Sequence, residues 1–352
     1  MCLYQNPKSL LANFLPMTKV AIIGTGFGAK VHVPGWKKIR GTKVQIWTGR
    51  DWKKAVNDAN IELISIATPP FIQKKITLAA IKNKKIVLLE KPAGLNVQEA
   101  REIAMVSQKH SGLVAIDFEL RFIPHFNFLK DLLQKKVIGD IRTISIRWVT
   151  GGRAGTKITK GWSNYTKTGG GVLLNYGSHI LDYVTWLFGD FNTVLGKLEV
   201  VKKVKEITPP PDADDTVTIL GNLKNKIPVT IFVSNVLHNG SGHSIEIFGS
   251  TGTIVLKNPN VFDAVRGFTL FKTNTKGELT QCKVPTKYGK ISFGPDDGRI
   301  KPFQTLAETL INTVKNKNRV ISSLPMINDA VKVHEVMSAI LKSNRSKQWE
   351  KV

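Results

Sequence analysis

Three short stretches of this chain combine residue types and spacings that suit chemistry. The first is Gly24-x-Gly26-x-x-Ala29, set directly after the apolar run 19–23 and before a segment of helical character. Gly24 permits a tight turn there, Gly26 lets backbone come close to a pyrophosphate, and Ala29 allows a helix to pack tightly on a strand. A helix start at this point offers free N–H groups and the positive end of its dipole to an anion. Gly24, Gly26, Phe27 and Gly28 are therefore expected to cradle a dinucleotide. The second stretch is Glu90-Lys91, at the end of the apolar run KKIVLL. An ammonium at the carboxyl edge of a parallel sheet can hold a hydroxyl and stabilise the alkoxide that forms as hydride leaves its carbon. The third is Asn175, His179 and Asp182, whose spacing puts three polar groups on one face of an otherwise apolar helical segment. Polar groups on a buried stripe need partners or a cleft, and an imidazole is suited to taking a hydroxyl proton near neutral pH.

The second strand bears on which dinucleotide is bound. A carboxylate about 20 residues past the glycines would bond both ribose hydroxyls and select NAD. Here that neighbourhood is Trp47-Thr48-Gly49-Arg50. A hydroxyl beside a guanidinium suits a 2′-phosphate, so Thr48 and Arg50 predict NADP over NAD; Asp51 is the residue that argues for NAD.

The elements that must position these groups are legible in the hydrophobic pattern. Strand-like runs at 19–23, 43–47, 61–68, 85–89 and 113–118 alternate with helical segments through 39 and at 51–58, 70–83 and 96–110. Such alternation predicts parallel strands joined by crossover helices, a doubly wound α/β layer. After residue 120 the pattern changes. A helix near 124–135, an extended segment at 140–150, a Gly-rich loop at 151–171 and an amphipathic segment at 172–188 precede a series of strand candidates. These lie at 194–204, 215–222, 227–234, 243–248, 252–257, 268–272 and 279–284, and two helices near 302–317 and 325–342 close the chain. Successive strands with turn signals predict a large open, mostly antiparallel sheet in an α+β domain. The expected division is 17–120 and 121–352, with 1–16 an extension and Met17 the functional start.

Composition narrows the classes. Lys+Arg 51 against Asp+Glu 26 give a formal charge of +25, while 42% hydrophobic and 22% charged residues are ordinary for a globular chain, which excludes disorder. No apolar run approaches the roughly 18 residues of a membrane span. The lysines are scattered in pairs such as Lys53 with Lys54 and Lys202 with Lys203, without a basic block interleaved with aromatics, so no specific nucleic-acid partner is expected. Cys2 and Cys282 form neither a disulfide framework nor a CxxC pair, so no metal site is expected and a reducing cytoplasm is the expected compartment.

Four pieces occur in order: the glycine turn, Ala67-Thr68-Pro69-Pro70, Glu90-Lys91-Pro92, and the run from Gly169-Gly170-Gly171 to Ser178-His179-Ile180-Leu181-Asp182. Together they resemble the glucose–fructose oxidoreductase, inositol dehydrogenase and rhizopine-catabolism (Gfo/Idh/MocA) family over almost the whole chain from Met17. The resemblance implies an N-terminal Rossmann domain and a C-terminal domain whose open sheet walls a substrate cleft and often forms a homo-oligomer interface. It implies a nicotinamide cofactor and hydride transfer on a sugar, polyol or related small molecule, with Lys91 and His179 catalytic. Thr68 and Pro69 would approach the cofactor ribose, Glu90 and Lys91 the nicotinamide side, and the bond before Pro92 is often cis in relatives. Arg121, in an Arg-Phe-x-Pro segment, either holds the domains together or touches ligand. Trp162 either stacks on a sugar face or packs.

The pattern also departs from the family. Asn175 stands where polyol-oxidising relatives commonly have Asp, and an amide orients a hydroxyl without taking up its proton. Asn175 and Asp182 are then expected to bind substrate. Gln73 replaces a family histidine, and the stretch between the second and third strands is short enough to lack a helix and a strand. These departures keep a second reading open, a non-catalytic NAD(P)-binding regulator or sensor of the same fold.

Overall fold

Five apolar runs of the N-terminal half pair as one parallel sheet: β1 (Thr18–Ile23), β2 (Thr42–Trp47), β3 (Leu63–Ile66), β4 (Ile86–Glu90) and β5 (Val114–Asp117), in the order β2-β1-β3-β4-β5. The computed structural model describes residues 18–155, 158, 160–204, 206–261, 265–290, 296–315 and 323–352; the expected extension 1–16 and start at Met17 lie outside them. Every residue of β3, β4 and β5 is buried, as it must be where crossover helices cover both faces of a parallel sheet. Those helices are α1 (Val33–Lys37), α2 (Trp52–Asn57), α3 (Pro70–Lys82) and α4 (Val97–Lys109).

With only α2 between them, β2 and β3 land on opposite sides of β1, so the order reverses between β1 and β3. Ligands of open α/β sheets bind at the carboxyl ends of the strands flanking such a reversal. The two sheet edges differ. Next to β5, Ile116 N–H donates to the Pro325 carbonyl at 2.9 Å and Ala115 bridges Met326, whereas β2 pairs with β1 alone and leaves Ile46 43% exposed.

The later strands are β6 (Ile141–Val149), β7 (Phe191–Glu199), β8 (Thr216–Leu223), β9 (Pro228–Ser234), β10 (Gly242–Gly249), β11 (Thr253–Asn258), β12 (Thr269–Thr273), β13 (Leu279–Cys282) and β14 (Glu350–Lys351). They form a nine-stranded sheet, β13-β12-β11-β10-β6-β9-β8-β7-β14, antiparallel except for the pairing of β6 with β9. The expected strand 194–204 is instead Phe191–Glu199. It stops there because the N–H groups of Val201 and Lys202 turn to the Asp215 carboxylate, at 2.9 and 2.8 Å, and leave the ladder. The remaining helices are α5 (Pro124–Gln134), α6 (Ser178–Phe188), α7 (Ile300–Lys315) and α8 (Ile327–Ser346).

By contacts the chain divides into a unit of Met1–Glu119 with Arg299–His334 and a unit of Leu120–Gly298 with Glu335–Val352. The nucleotide-fold unit thus takes in α7, where the sequence pattern assigns everything after 121 to the second domain. One contact shows why. A Cβ on Gly35 of α1 would lie 2.4 Å from the Phe303 ring, so this glycine is what allows Phe303 to seat fully buried against α1.

Candidate active site

The glycine turn leaves β1 at its carboxyl end. Gly24 has φ +129°, and a Cβ there would lie 2.2 Å from the Ala67 carbonyl oxygen, so only glycine lets β1 and the end of β3 come this close. Gly26 is the opposite case: a Cβ on it would meet nothing within 4 Å. Space beside an exposed glycine at a helix start is what the approach of a pyrophosphate requires, and the residues present fit a dinucleotide. The close-packing position is Gly28, whose Cβ would stand 3.1 Å from Ala67 Cβ and Ile22 Cγ2, and Ala29 is exposed. The helix opens with a π-turn at Gly28–His32, Val33 N–H reaching the Gly28 carbonyl, and the packed position falls one residue earlier, at Gly28 rather than Ala29.

Two further loops border this turn. Thr68 is buried, its Oγ1 has no hydrogen-bond partner among the described residues, and its Cγ2 would be 3.9 Å from a Cβ on Gly49. Pro69 caps α3. In the loop after β2, Thr48 Oγ1 donates to Asp51 Oδ2 at 2.7 Å and accepts from the Arg50 and Asp51 amides. Lys54 Nζ lies 3.1 Å from Asp51 Oδ1, and the Thr48 hydroxyl together with Lys54 holds the Asp51 carboxyl below its ordinary range. Arg50 is exposed.

Lys91 follows β4 directly, and the Lys91–Pro92 bond is cis. The loop it opens is braced on both sides. Gln73, fully buried on α3, donates to the Thr68 carbonyl at 3.2 Å and accepts from Gly94 N–H at 2.8 Å, and His334 hydrogen-bonds the Pro92 backbone. Gln73, noted in the sequence only as a departure, therefore ties the Thr68 loop to the Lys91 loop.

Around Lys91 lies a set of ionisable groups with no linear motif. His32 Nε2 is 3.1 Å from Glu90 Oε1 and 3.3 Å from Asp117 Oδ2, and its Nδ1 is 2.8 Å from Ser65 Oγ. Its ring stacks on Phe303 at 4.2 Å and meets the edge of Phe27 at 5.6 Å, and the Arg299 guanidinium sits 4.6 Å over Phe27. Burial, then the neighbouring Glu90 charge, pushes Asp117 well above the carboxylate range; burial, then Asp117, does the same to Glu119. Burial also pushes Glu90 up, but the His32 hydrogen bond, the His32 charge and then the Lys91 charge outweigh it and leave Glu90 low. Burial depresses the Lys91 ammonium, against the support of Glu90 and Glu119. Glu90 thus turns into this buried cluster.

The second unit carries the histidine segment. Gly171 has φ +110°, and a Cβ on it would lie 2.2 Å from Asp214 Oδ1. Asp214 Oδ2 accepts from Leu173 N–H at 2.8 Å and the Asp214 carbonyl from Val172 N–H at 2.9 Å, which pins the start of the helical segment; burial raises this carboxyl to about 6. The segment begins with a π-turn, Leu173–Gly177, before α6. Asn175 lies in that turn and is exposed, while His179 and Asp182 on α6 are buried. An i, i+4 stack assumes regular α-geometry, so Asn175 does not continue the buried stripe of the other two. His179 lies 6.3 Å from the Trp148 ring, and Trp148 stacks on His243 at 4.3 Å. Asp182 is in a buried two-point ion pair with Arg121, Nε to Oδ2 at 2.9 Å and Nη2 to Oδ1 at 2.5 Å, both within this unit. Trp162 is 43% exposed, at the start of a one-turn helix.

The chain matches two family models, the NAD-binding Rossmann fold of an oxidoreductase family over residues 42–118 and the C-terminal alpha/beta domain of the same family over 130–352. It is 30% identical to an uncharacterized oxidoreductase of Synechocystis, covering 95% of this chain and 96% of that protein. It is 26% identical to the glucose-6-phosphate 3-dehydrogenase of Bacillus subtilis, over 94% and 98%. A levoglucosan dehydrogenase solved with NADH and levoglucosan shares the fold with a TM-score of 0.84 at 18% identity, over 96% of this chain and 99% of that one.

Proposed function

This chain belongs to the Gfo/Idh/MocA oxidoreductase family, and from that premise we propose an NADP-preferring dehydrogenase of a sugar, polyol or sugar phosphate that uses Lys91 and His179. It is a nicotinamide-dependent oxidoreductase acting on CH–OH groups. The observation that carries the finer reading is that the open glycine cradle and Lys91 both leave one parallel sheet at its carboxyl edge, from β1 and β4. A bound nicotinamide supplies the hydride acceptor, or the donor in the reverse direction. Lys91 steadies the substrate oxygen as negative charge grows on it. His179 takes the hydroxyl proton, Asn175 orients a hydroxyl, and Trp162 offers an exposed ring face. Arg121 and Asp182 act as a pair, holding the histidine helix in place.

The preference for NADP rests on the loop after β2. Asp51 is engaged by Thr48 and Lys54, while the Arg50 guanidinium is exposed and has no partner among the described residues. A sugar phosphate is included because a relative of known activity, the Bacillus subtilis enzyme, acts on glucose 6-phosphate. We also read the outer face of the nine-stranded sheet as a homo-oligomer contact. Leu195 opposes Leu220, Val255 opposes Phe271, and Phe248 is 37% exposed on the same face; light scattering at several protein concentrations tests this.

An absorbance screen at 340 nm of polyols, sugars, sugar phosphates, sugar acids and ketones, with both cofactors, tests the function. A substrate should emerge with NADP, and Lys91→Ala should then lower kcat by orders of magnitude with cofactor Kd nearly unchanged. Full activity of Lys91→Ala would remove Lys91 from the chemistry.

A further inference from the structure

The buried cluster below Lys91 contains a directed chain of hydrogen bonds. Trp36 Nε1–H donates to Ser65 Oγ at 3.1 Å. The Ser65 hydroxyl then has His32 Nδ1, 2.8 Å away, as its acceptor, and no other acceptor for it occurs among the described residues. His32 Nδ1 must therefore be the bare nitrogen, and the ring hydrogen sits on Nε2, facing Glu90 Oε1 at 3.1 Å and Asp117 Oδ2 at 3.3 Å. Phe303 stacked on one side and Phe27 edge-on fix the ring plane, and His32, Asp117 and Trp36 are fully buried.

Glu90 and Asp117 are register partners on β4 and β5, and the one His32 N–H is hydrogen-bonded to Glu90 Oε1 with Asp117 Oδ2 3.3 Å away. Two bare carboxylates this close and this buried would repel, so the pair shares one proton. Asp117, with no solvent exposure, keeps it, and Glu90, next in sequence to Lys91, carries the charge. We propose that His32 is a positioning residue whose Nε2–H holds Glu90 ionised beside a protonated Asp117, so that this pair sets the charge state of Lys91. The inference rests on the reading of Lys91 as the amine that steadies the substrate oxygen. The direction for Asp117, up from burial and then from Glu90, agrees with the assignment. The other charged groups acting on Lys91 are Glu119, which supports the ammonium, and Arg299, which opposes it.

Competitive acetylation of the full-length protein with acetic anhydride across pH, quantified for the Lys91 peptide by mass spectrometry, reads the free-amine fraction without any substrate. Without the His32 N–H, Glu90 takes up a proton more readily and Lys91 loses the charge that supports its ammonium most. His32→Leu should therefore move the Lys91 midpoint down by about one pH unit, roughly a tenfold rise in free amine at a fixed pH below the midpoint. His32→Gln restores an N–H near the Nε2 position and should stay within about 0.3 unit of wild type. Ser65→Ala leaves both carboxyls and the ring in place and removes only the donor that selects the tautomer. It should fall between the two, and it carries the test if His32→Leu does not fold. Coincident midpoints for wild type and every folded variant overturn the proposal, and so do equal shifts for His32→Leu and His32→Gln. A Lys91 midpoint that moves as expected while Lys91→Ala is fully active would sink the functional reading alone.

Discussion

Replacing Gly26 by alanine should separate cofactor binding from folding. A methyl group at Gly26 meets no atom of the protein within 4 Å, and its φ lies outside the left-handed region, so neither clash nor strain opposes it. Loss of glycine's freedom in the unfolded chain stabilises by about 0.4–1 kcal/mol where the native conformation suits alanine. Thermal stability should thus be unchanged or slightly higher. The same methyl occupies the space that a pyrophosphate needs to reach the backbone N–H groups at the helix start. A hydrogen bond to a charged group contributes about 1.5–3 kcal/mol, so weakening one raises Kd by roughly 10- to 100-fold. Gly24→Ala is the control with the opposite profile. Its Cβ would lie 2.2 Å from a backbone oxygen at φ +129°, and strain of about 1–3 kcal/mol adds to the overlap, so this variant should lose stability first. Differential scanning calorimetry and NADPH fluorescence titration on both variants give the two readouts. Wild-type affinity in a folded Gly26→Ala protein would refute the cradle.

Arg50→Ala should weaken NADP binding tenfold or more and leave NAD binding nearly unchanged; equal losses for both cofactors in parallel titrations would defeat the 2′-phosphate assignment. Truncating either Arg121 or Asp182 to alanine takes from a buried charge its two-point partner and should cost about 3–5 kcal/mol in urea unfolding, and the Leu/Leu double variant should recover much of it. Summed losses in the double variant would show that the pair is not the source. His125, His243 and His334 are held by burial at about 4, 3 and 4 against an ordinary 6.5. The unfolded chain binds protons the native one excludes, so stability is full above pH about 6.5 and falls towards pH 4, by about 3 kcal/mol per ring. His243→Gln should flatten that slope in thermal melts. Asp214 acts in the opposite sense: its folded value, about 6, lies above 3.8, so its contribution is full below 3.8 and is lost as pH rises through about 6. Asp214→Asn should remove that window, and an unchanged pH profile would count against the raised Asp214 carboxyl.

Some of the site was legible because it is local. The glycine turn, the Thr68 loop and Glu90-Lys91 each sit at the end of an apolar strand, and periodicity alone puts strand ends at a sheet edge. His32 carries no such signal. It meets Glu90 and Asp117 only through the parallel register of β4 with β5, and the nearest clue is that both these strands end in an acid. Two local errors share one cause. The π-turns at Gly28–His32 and Leu173–Gly177 each add a residue to a helical turn, so Ala29 loses the packed position to Gly28 and Asn175 leaves the stripe of His179.

The strand that leads into Thr48, Gly49 and Arg50 is also the one held to its sheet by a single neighbour. Residues on such a border strand are changed at small cost to the interior, whereas the acids beside Lys91 come from strands buried on both sides. Cofactor choice and bond chemistry therefore differ in how freely they drift. A lineage, or a designer, can exchange one nicotinamide dinucleotide for the other by altering a few exposed positions, while the proton-handling end stays under the constraint of a packed interior.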